Sequence, residues 1–244
     1  PETEQGVSAL LRIAVHSGIT LCERLGISAK AYKSVLEKMN RRVAADTEYK
    51  QITALQILSG ERDAKSGAQM LARGGAKGLS SFMSGFILSA LAKGGKMRAA
   101  QEILRAYYGG MLSRGATSFW EDFNIDWLNG SGRIDEPAPQ GVKDLHGDFG
   151  AHCYAGFRHS LCHGWACGPV NFLTECVLGI RVEEASCRKI SVHPDLGNLT
   201  FARGSIATPY GKITVTAQKN DSGKTDVRVD APKDVEILYG DIYG

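Results

Sequence analysis

The stretch "CRKISVHPDLGNLTFARGSIATPYGKI", residues 187–213, decides the fold class of this chain, because the hydrophobic period here is two. Apolar and polar residues alternate along it, and Val, Ile and Thr are frequent, as in half-buried strands. The alternation starts at Ile180 and returns in "TDVRVDA" and "VEILY", while "TPYGK" and "NDSGK" are typical hairpin turns. We therefore predict about five short strands over residues 180–244, forming a small antiparallel sheet domain.

Residues 1–179 have a helical period instead. An apolar stripe with three- and four-residue spacing predicts a first helix. Its members are Val7, Leu10, Leu11, Ala14, Gly18, Leu21, Cys22 and Leu25. Ser28 and Thr47 are candidate N-caps of the next two helices. Further helices are predicted over residues 61–73, 80–93, 96–108 and 163–178, and Pro169 allows a late start of the last one. Short Gly loops favour antiparallel helix pairs, so the predicted fold class is α + β in separate segments.

Composition and charge exclude several classes of partner. The chain has 244 residues, a formal net charge of +3 and no run of five like charges, so we predict no nucleic-acid partner. No apolar stretch has the length of a membrane span, so we predict no membrane partner. The N-terminal residues lack the basic and apolar blocks of a signal peptide. Localisation stays open between periplasmic, secreted and cytoplasmic.

Six cysteines raise the alternative of a metal-binding module. The candidate ligands are Cys153, His159, Cys162, His163 and Cys167. Their spacing is unlike the paired Cys-x₂₋₄-Cys units of structural zinc sites. We therefore predict free thiols, with no metal and no other cofactor.

The stretch "RGATSFWEDFN", residues 114–124, places carboxylates directly beside aromatic rings. A carboxylate next to such rings is partly desolvated, which suits proton transfer, and aromatic rings can bind the apolar face of a sugar. The Trp120–Glu121 pair therefore fits a sugar-cleaving site, and Trp120 fits the core equally well. Residues 122–162 follow as a long loop rich in acids and histidines, and long loops of this kind are often functional.

Three segments of the chain, taken together, resemble those of a known enzyme family. "SRGATSFWEDF" and "RHSLCHGWACGPVNFLTECVLGI", together with the β segment quoted first, resemble the C-terminal part of bacterial α-L-rhamnosidases of glycoside hydrolase family 78. Their order and spacing match over nearly the whole chain. The resemblance implies that residues 1–179 form the C-terminal half of an (α/α)₆ barrel, followed by a β-sandwich domain at residues 180–244. The loop between Glu121 and His163 is longer than the family pattern implies.

The resemblance also implies a reaction and its residues. The activity would be inverting hydrolysis of terminal α-L-rhamnosides in a rhamnose-containing oligosaccharide or glycoside, without a cofactor. Glu121 would be the general base, His163 a sugar contact, and Trp120 part of the substrate pocket. Trp127 and Asp122 are possible loop contributors, with Asp122 bracing the turn.

The general acid of the family lies in the part of the barrel that precedes these residues. We therefore expect the chain to need that missing part, or to associate with itself through exposed helix faces. The alternative is a non-catalytic carbohydrate-binding or scaffold fragment. If the acid lies within this chain, the first candidates are Asp135, Glu136 and Asp148.

Overall fold

The computed structural model describes residues 2–40, 44–129, 132–137, 140 and 160–239. The chain divides into two compact units, Pro1–Ala166 and Cys167–Gly244. The last helical segment therefore groups with the strands, whereas the division by function into residues 1–179 and 180–244 stays a prediction. Within the described ranges, no helix is both long and apolar enough to span a membrane.

The first unit is built from α-helices joined by short loops. The helices of its described part are α1 Glu2–Arg24, α2 Lys30–Met39, α3 Lys50–Leu58, α4 Ala64–Ala72, α5 Ser84–Lys93 and α6 Met97–Ser113. Consecutive helices pack in pairs, α1 with α2, α3 with α4 and α5 with α6, and α3 also packs against α1 and α5. In an (α/α) barrel each odd-numbered helix packs against the next odd-numbered helix, as α3 packs here against α1 and α5. The predicted helical architecture is therefore confirmed.

The two helices α1 and α3 differ in what covers them. All of residues 52–57 in α3 are buried, which makes α3 an inner helix. The apolar stripe of α1 is present as predicted, but most of it faces outward. The stripe residues that are 49–63% exposed are Val7, Leu10, Leu11, Leu21 and Leu25. An apolar stripe indicates a face to be covered, and the described residues of this unit leave much of it uncovered.

Two predicted helix starts are early, one by one residue and the other by two. The N-cap of α2 is Ala29 rather than Ser28, and the N-cap of α3 is Tyr49 rather than Thr47. Thr47 Oγ1 instead accepts a hydrogen bond from the Tyr49 N–H at 3.2 Å. Thr side chains form such local turns as readily as helix caps, which is why the sequence pattern placed the start too early.

The second unit opens with a short helix and continues as strands. Helix α7 spans Gly168–Phe172 with Pro169 in its first turn, and a π-helical turn follows at Leu173–Val177. The late start agrees with the missing N–H of Pro, which is tolerated only in the first turn. The strands are β1 Ile180–Val182, β2 Lys189–Val192, β3 Phe201–Thr208, β4 Gly211–Lys219, β5 Thr225–Asp230 and β6 Glu236–Leu238.

The strands form two three-stranded sheets, with the orders β1-β2-β6 and β3-β4-β5. Ile190 and Val192 of the first sheet share one core with Ile213 and Val215 of the second, so the predicted β-sandwich is confirmed. One detail of the prediction is wrong, because β2 and β6 pair in parallel, with Ile190 opposite Ile237. The chain between them passes through the whole second sheet, and such a crossover can return in the same direction, which a hairpin cannot.

Candidate active site

Helix α6 ends directly before "GATSFWEDF" and sets the direction of that stretch. Gly115 has a φ of +86°, a conformation that favours Gly, and a Cβ there would lie 2.6 Å from Asp135 Oδ1. The Ala116 N–H donates to Met111 O at 3.1 Å, the long-range bond of a Schellman helix end. The Gly of the motif is therefore required by the backbone at this turn.

Two segments that are distant in sequence lie side by side at this point. The Glu121 N–H donates to Ser160 O at 2.8 Å, and the His163 N–H donates to Phe119 O at 2.8 Å. These backbone bonds close the long loop at its base. They bring together Glu121 and His163, the two residues that the resemblance singles out.

The Glu121 carboxylate is the centre of the site. Its Oε2 accepts a hydrogen bond from the Ser160 N–H at 2.8 Å and lies 3.8 Å from His163 Nδ1. The side chains of Glu121 and His163 are 17% and 34% exposed, so both are half-buried and a ligand can reach them. A partly desolvated carboxylate with access to solvent can exchange a proton with a bound molecule.

The backbone carbonyl of Glu121 has two donors of its own. Trp165 Nε1–H donates to this oxygen at 2.8 Å, and Ser81 Oγ–H donates to it as well. Ser81 belongs to the turn just before α5, whereas Trp165 follows His163. Glu121 is therefore held by two different parts of the unit, the segment 160–165 and the turn before α5, which restricts the position of its side chain.

Adjacent tyrosines of α6 anchor both segments of the site. The Tyr107 hydroxyl donates to Phe123 O at 2.5 Å, and the Tyr108 hydroxyl donates to Ala166 O at 3.0 Å. Burial raises the pKa of the Tyr107 phenol above its ordinary value, and the nearby charge of Asp122 raises it further. Tyr107 therefore keeps its proton, and its bond to the Glu121 segment, to a higher pH than an exposed tyrosine would.

The other predicted site residues have different surroundings. Trp120 is completely buried, and its ring packs edge-on against Phe123 with centroids 5.7 Å apart. Of the two roles open to Trp120 the core role fits, because none of its surface can contact a sugar in this conformation. Asp122 Oδ1 accepts from the Phe123 N–H at 2.9 Å, a contact that braces the turn. Trp127 packs edge-on against Phe123 at 6.3 Å, and its contribution to the loop stays a prediction.

The exposed rings of Phe82 and Trp165, here called the aromatic wall, are a feature that the sequence analysis missed. Their centroids are 5.4 Å apart, and the Trp165 ring lies 4.4 Å from the His163 ring. Phe82 is 49% exposed and Trp165 is 47% exposed. The place of Trp165 two residues after His163 was a usable signal, whereas Phe82 carries no local signal at all.

The acids downstream of Glu121 have partners of their own or lie outside the described residues. Arg133 donates to both carboxylate oxygens of Asp135, at 2.9 and 2.6 Å. These bonds lower the pKa of Asp135, which is opposite to the shift that a general acid needs. Glu136 lies 3.3 Å from Arg133 Nε. The candidates outside the described residues are Asp148, Cys153 and His159.

The thiols beside His163 bear on the metal alternative. Cys162 and Cys167 are exposed. In the part of the chain that the structure describes, no group of three His, Cys, Asp or Glu side chains is placed to hold a metal ion. The prediction of a chain without a metal stays a prediction, because Cys153 and His159 are not described.

Comparisons with known proteins show which proteins the chain resembles in sequence and fold. Residues 179–238 match the family model described as the bacterial alpha-L-rhamnosidase C-terminal domain. The resemblance to the α-L-rhamnosidases is confirmed. A family 78 rhamnosidase of Bacillus sp. GL1 is 22% identical in sequence, with a TM-score of 0.71. The Streptomyces avermitilis α-L-rhamnosidase, solved in complex with L-rhamnose, is 17% identical with a TM-score of 0.72. The native enzyme from Aspergillus terreus is 19% identical with a TM-score of 0.72.

The rhamnosidase fold extends over both units of the chain. Each of these three structures covers 95% of this chain, which in turn covers 25%, 22% and 27% of theirs. The chain thus spans about a quarter of the length of these solved relatives. No curated protein sequence matches it.

Proposed function

We propose that this chain supplies the general-base side of the active site of an inverting α-L-rhamnosidase. Glu121 is the general base, His163 binds the sugar, and the general acid comes from a part of the enzyme outside this chain. The substrate is a terminal α-L-rhamnoside. Support comes from the shared fold, and from the relative that was solved in complex with L-rhamnose.

The placement of the Glu121 carboxylate is the observation that carries this proposal. Among the described residues, the contacts of this carboxylate with the Ser160 N–H and with His163 both use Oε2. Oε1 can therefore accept a proton from water. An inverting glycosidase needs such a carboxylate about 6.5–9.5 Å from a carboxylic acid, so that water fits on the face of the sugar opposite to the leaving group.

The exposed stripe of α1 fits the same proposal. Large exposed apolar patches usually mark a surface that another element covers. The solved relatives are about four times as long as this chain, because it spans 25% of the Bacillus enzyme. The remaining helices of the barrel are therefore the proposed cover of this stripe, and a second copy of the chain is the alternative.

The substitution Glu121→Gln in the complete enzyme tests the role of the base. Gln can still accept the Ser160 hydrogen bond, but it cannot take a proton from water. We expect kcat on an aryl α-L-rhamnoside to fall about 10²- to 10⁴-fold, while the Kd for L-rhamnose stays within a few-fold. Azide attacks without a base, so it should restore turnover and yield a glycosyl azide of inverted configuration. A kcat within a few-fold of the parent would exclude Glu121 as the base.

Two comparison variants separate catalysis from binding and from folding. His163→Ala removes a proposed sugar contact, so it should raise the Kd for L-rhamnose as well as lower kcat. Asp122→Asn weakens the acceptor for the Phe123 N–H, so it should act mainly on the unfolding midpoint. If all three variants lower kcat to the same extent without changing Kd, the loop acts as one structural unit and the separate roles are wrong.

A further inference from the structure

We propose that the second unit contains a non-catalytic binding site for a neutral saccharide unit, in a pocket at the edge of its β-sandwich. The pocket has a volume of about 420 Å³, within the range of about 300–1,000 Å³ that is usual for small-ligand sites. Its described lining residues all belong to Cys167–Gly244, so Glu121 and His163 are not part of it. The inference goes beyond the proposed function and does not depend on it.

Two edge strands and one helical turn form the walls of this pocket. Ile180 comes from β1, an outer strand of the first sheet, and Ile206 comes from β3, an outer strand of the second. The third wall is the π-helical turn at Leu173–Val177, which contributes Thr174 and Glu175. π-Helical turns occur frequently at functional sites, so this wall is an indication of function as well as of shape.

Backbone hydrogen bonds fix the helical wall to the chain beyond it. The Asp195 N–H donates to Val177 O at 3.1 Å, and the His193 N–H donates to Gly179 O at 3.0 Å. Gly179 has a φ of +66°, and a Cβ there would clash with the His193 carbonyl group. The chain therefore needs Gly at this close approach. The pocket is largely preformed, as small-molecule sites usually are.

The Arg181 side chain gives the observation that points to a ligand. Arg181 lines the pocket, and its Nε is buried without a hydrogen-bond partner among the described residues. A buried donor without an acceptor is costly and rare in folded proteins. A small rotation of the side chain that presents Nε–H to a ligand oxygen breaks no hydrogen bond of that atom within the described residues. The planar guanidinium then offers two parallel donors, which match the oxygens of two adjacent hydroxyl groups.

The rest of the lining selects a neutral polyol over an anion. The Asn171 amide can donate and accept, and the ionised Glu175 carboxylate can only accept. Hydroxyl groups can accept from Arg181 and donate to Glu175, whereas a carboxylate on the ligand would be repelled by Glu175. The apolar lining from Val182 and Ile206 suits C–H groups. A saccharide unit combines adjacent hydroxyl groups with apolar C–H faces, so it matches both parts of the pocket.

The test measures saccharide binding to the complete enzyme and its variants by saturation-transfer NMR. The probes are methyl α-L-rhamnoside, methyl α-D-glucoside and methyl α-D-galactoside, with D-galacturonate as the anionic probe. Arg181→Met removes the guanidinium donors and keeps an apolar stem, and Asn171→Ala removes an amide from an exposed residue. Arg228→Met is the matched control, because Arg228 is an exposed Arg of β5, at the opposite edge of the sheet from β3.

The proposal predicts binding that depends on the pocket and not on the catalytic residues. At least one of the three neutral glycosides should bind, with a Kd that Arg181→Met raises about tenfold or more and Asn171→Ala raises a few-fold. Arg228→Met and Glu121→Gln should leave this Kd unchanged, and Arg181→Met should leave kcat/KM for an aryl α-L-rhamnoside unchanged. Methyl α-L-rhamnoside is also titrated into His163→Ala, in which only binding at the active site should weaken.

Three results would overturn the proposal. They are the absence of binding by all three neutral glycosides, a Kd that neither Arg181→Met nor Asn171→Ala changes, and binding of D-galacturonate alone, which would make the pocket an anion site. If Arg181→Met lowers the unfolding midpoint of the second unit, Asn171→Ala decides the question by itself. Full turnover by Glu121→Gln would refute the assignment of the general base and leave this saccharide site standing.

Discussion

The Tyr108 hydroxyl is the most informative single group to remove, because it joins three parts of the first unit. It lies 2.6 Å from Ser84 Oγ, at the start of α5, and donates to Ala166 O at 3.0 Å. Ala166 follows the Trp165 ring directly. The substitution Tyr108→Phe should therefore loosen the segment that carries His163 and Trp165.

The expected loss of unfolding free energy in Tyr108→Phe follows from how many hydroxyl hydrogens remain to serve as donors. Ser84 Oγ can donate instead to Ser81 O, which lies 2.8 Å away, so Ser84 keeps a partner in the variant. The carbonyl of Ala166, a fully buried residue, loses the donation from Tyr108. One buried acceptor left without its donor costs about 1–3 kcal/mol, so we expect the free energy of unfolding to fall by that amount.

The assay is urea unfolding followed by tryptophan fluorescence. The chain has three Trp residues, at positions 120, 127 and 165, and all lie in the first unit, so the signal reports that unit alone. Tyr49→Phe is the matched control, because Tyr49 is 55% exposed and surface substitutions usually change stability by less than about 0.5 kcal/mol. A loss for Tyr108→Phe no larger than for Tyr49→Phe would show that this hydroxyl does not hold the Ala166 segment.

Three further predictions follow from other contacts. A Cβ at Gly94 would lie 2.3 Å from the Ala64 carbonyl oxygen, so Gly94→Ala should destabilise the first unit by about 1–3 kcal/mol in urea unfolding. Gly109→Ala adds a Cβ to open space in α6 and should stabilise that unit by up to about 1 kcal/mol. The reverse order of these two variants would contradict the close contact between Gly94 and the Ala64 carbonyl oxygen. Tyr107 has a raised pKa in the folded chain, against a reference of 10.0. Its contribution to stability is therefore complete below about pH 10 and is lost as the pH rises further, because the unfolded chain ionises first. Tyr107→Phe should abolish that part of the alkaline decline in unfolding free energy, and an unchanged decline would refute the assignment. Expressed by itself, the 244-residue chain should not hydrolyse an aryl α-L-rhamnoside, because a general base without a general acid cannot protonate the leaving group. Turnover of this substrate by a clean preparation would place the general acid within the chain.

Local patterns in the sequence were sufficient for the kind and order of the elements. A period of two after Ile180 predicts strands, and helical spacing before it predicts helices, because each period places apolar side chains on one face of its own element. The Gly of "GATSFWEDF" likewise follows from a positive φ at a helix end. Glu121 and His163 were candidates because their motifs resemble those of the rhamnosidases.

Tertiary packing alone decided which of these residues meet and which faces are open. Trp120 and Trp165 are the same residue type beside equally suggestive motifs, yet Trp120 is buried and Trp165 is 47% exposed, because exposure depends on what other segments contribute. Phe82 reaches Trp165 only through the packing of the turn before α5. In the same way, the α1 stripe faces outward and β6 pairs in parallel with β2. Periodicity marks a face or a strand, but the partner of that face or strand comes from chain far away in sequence, so no local pattern contains it.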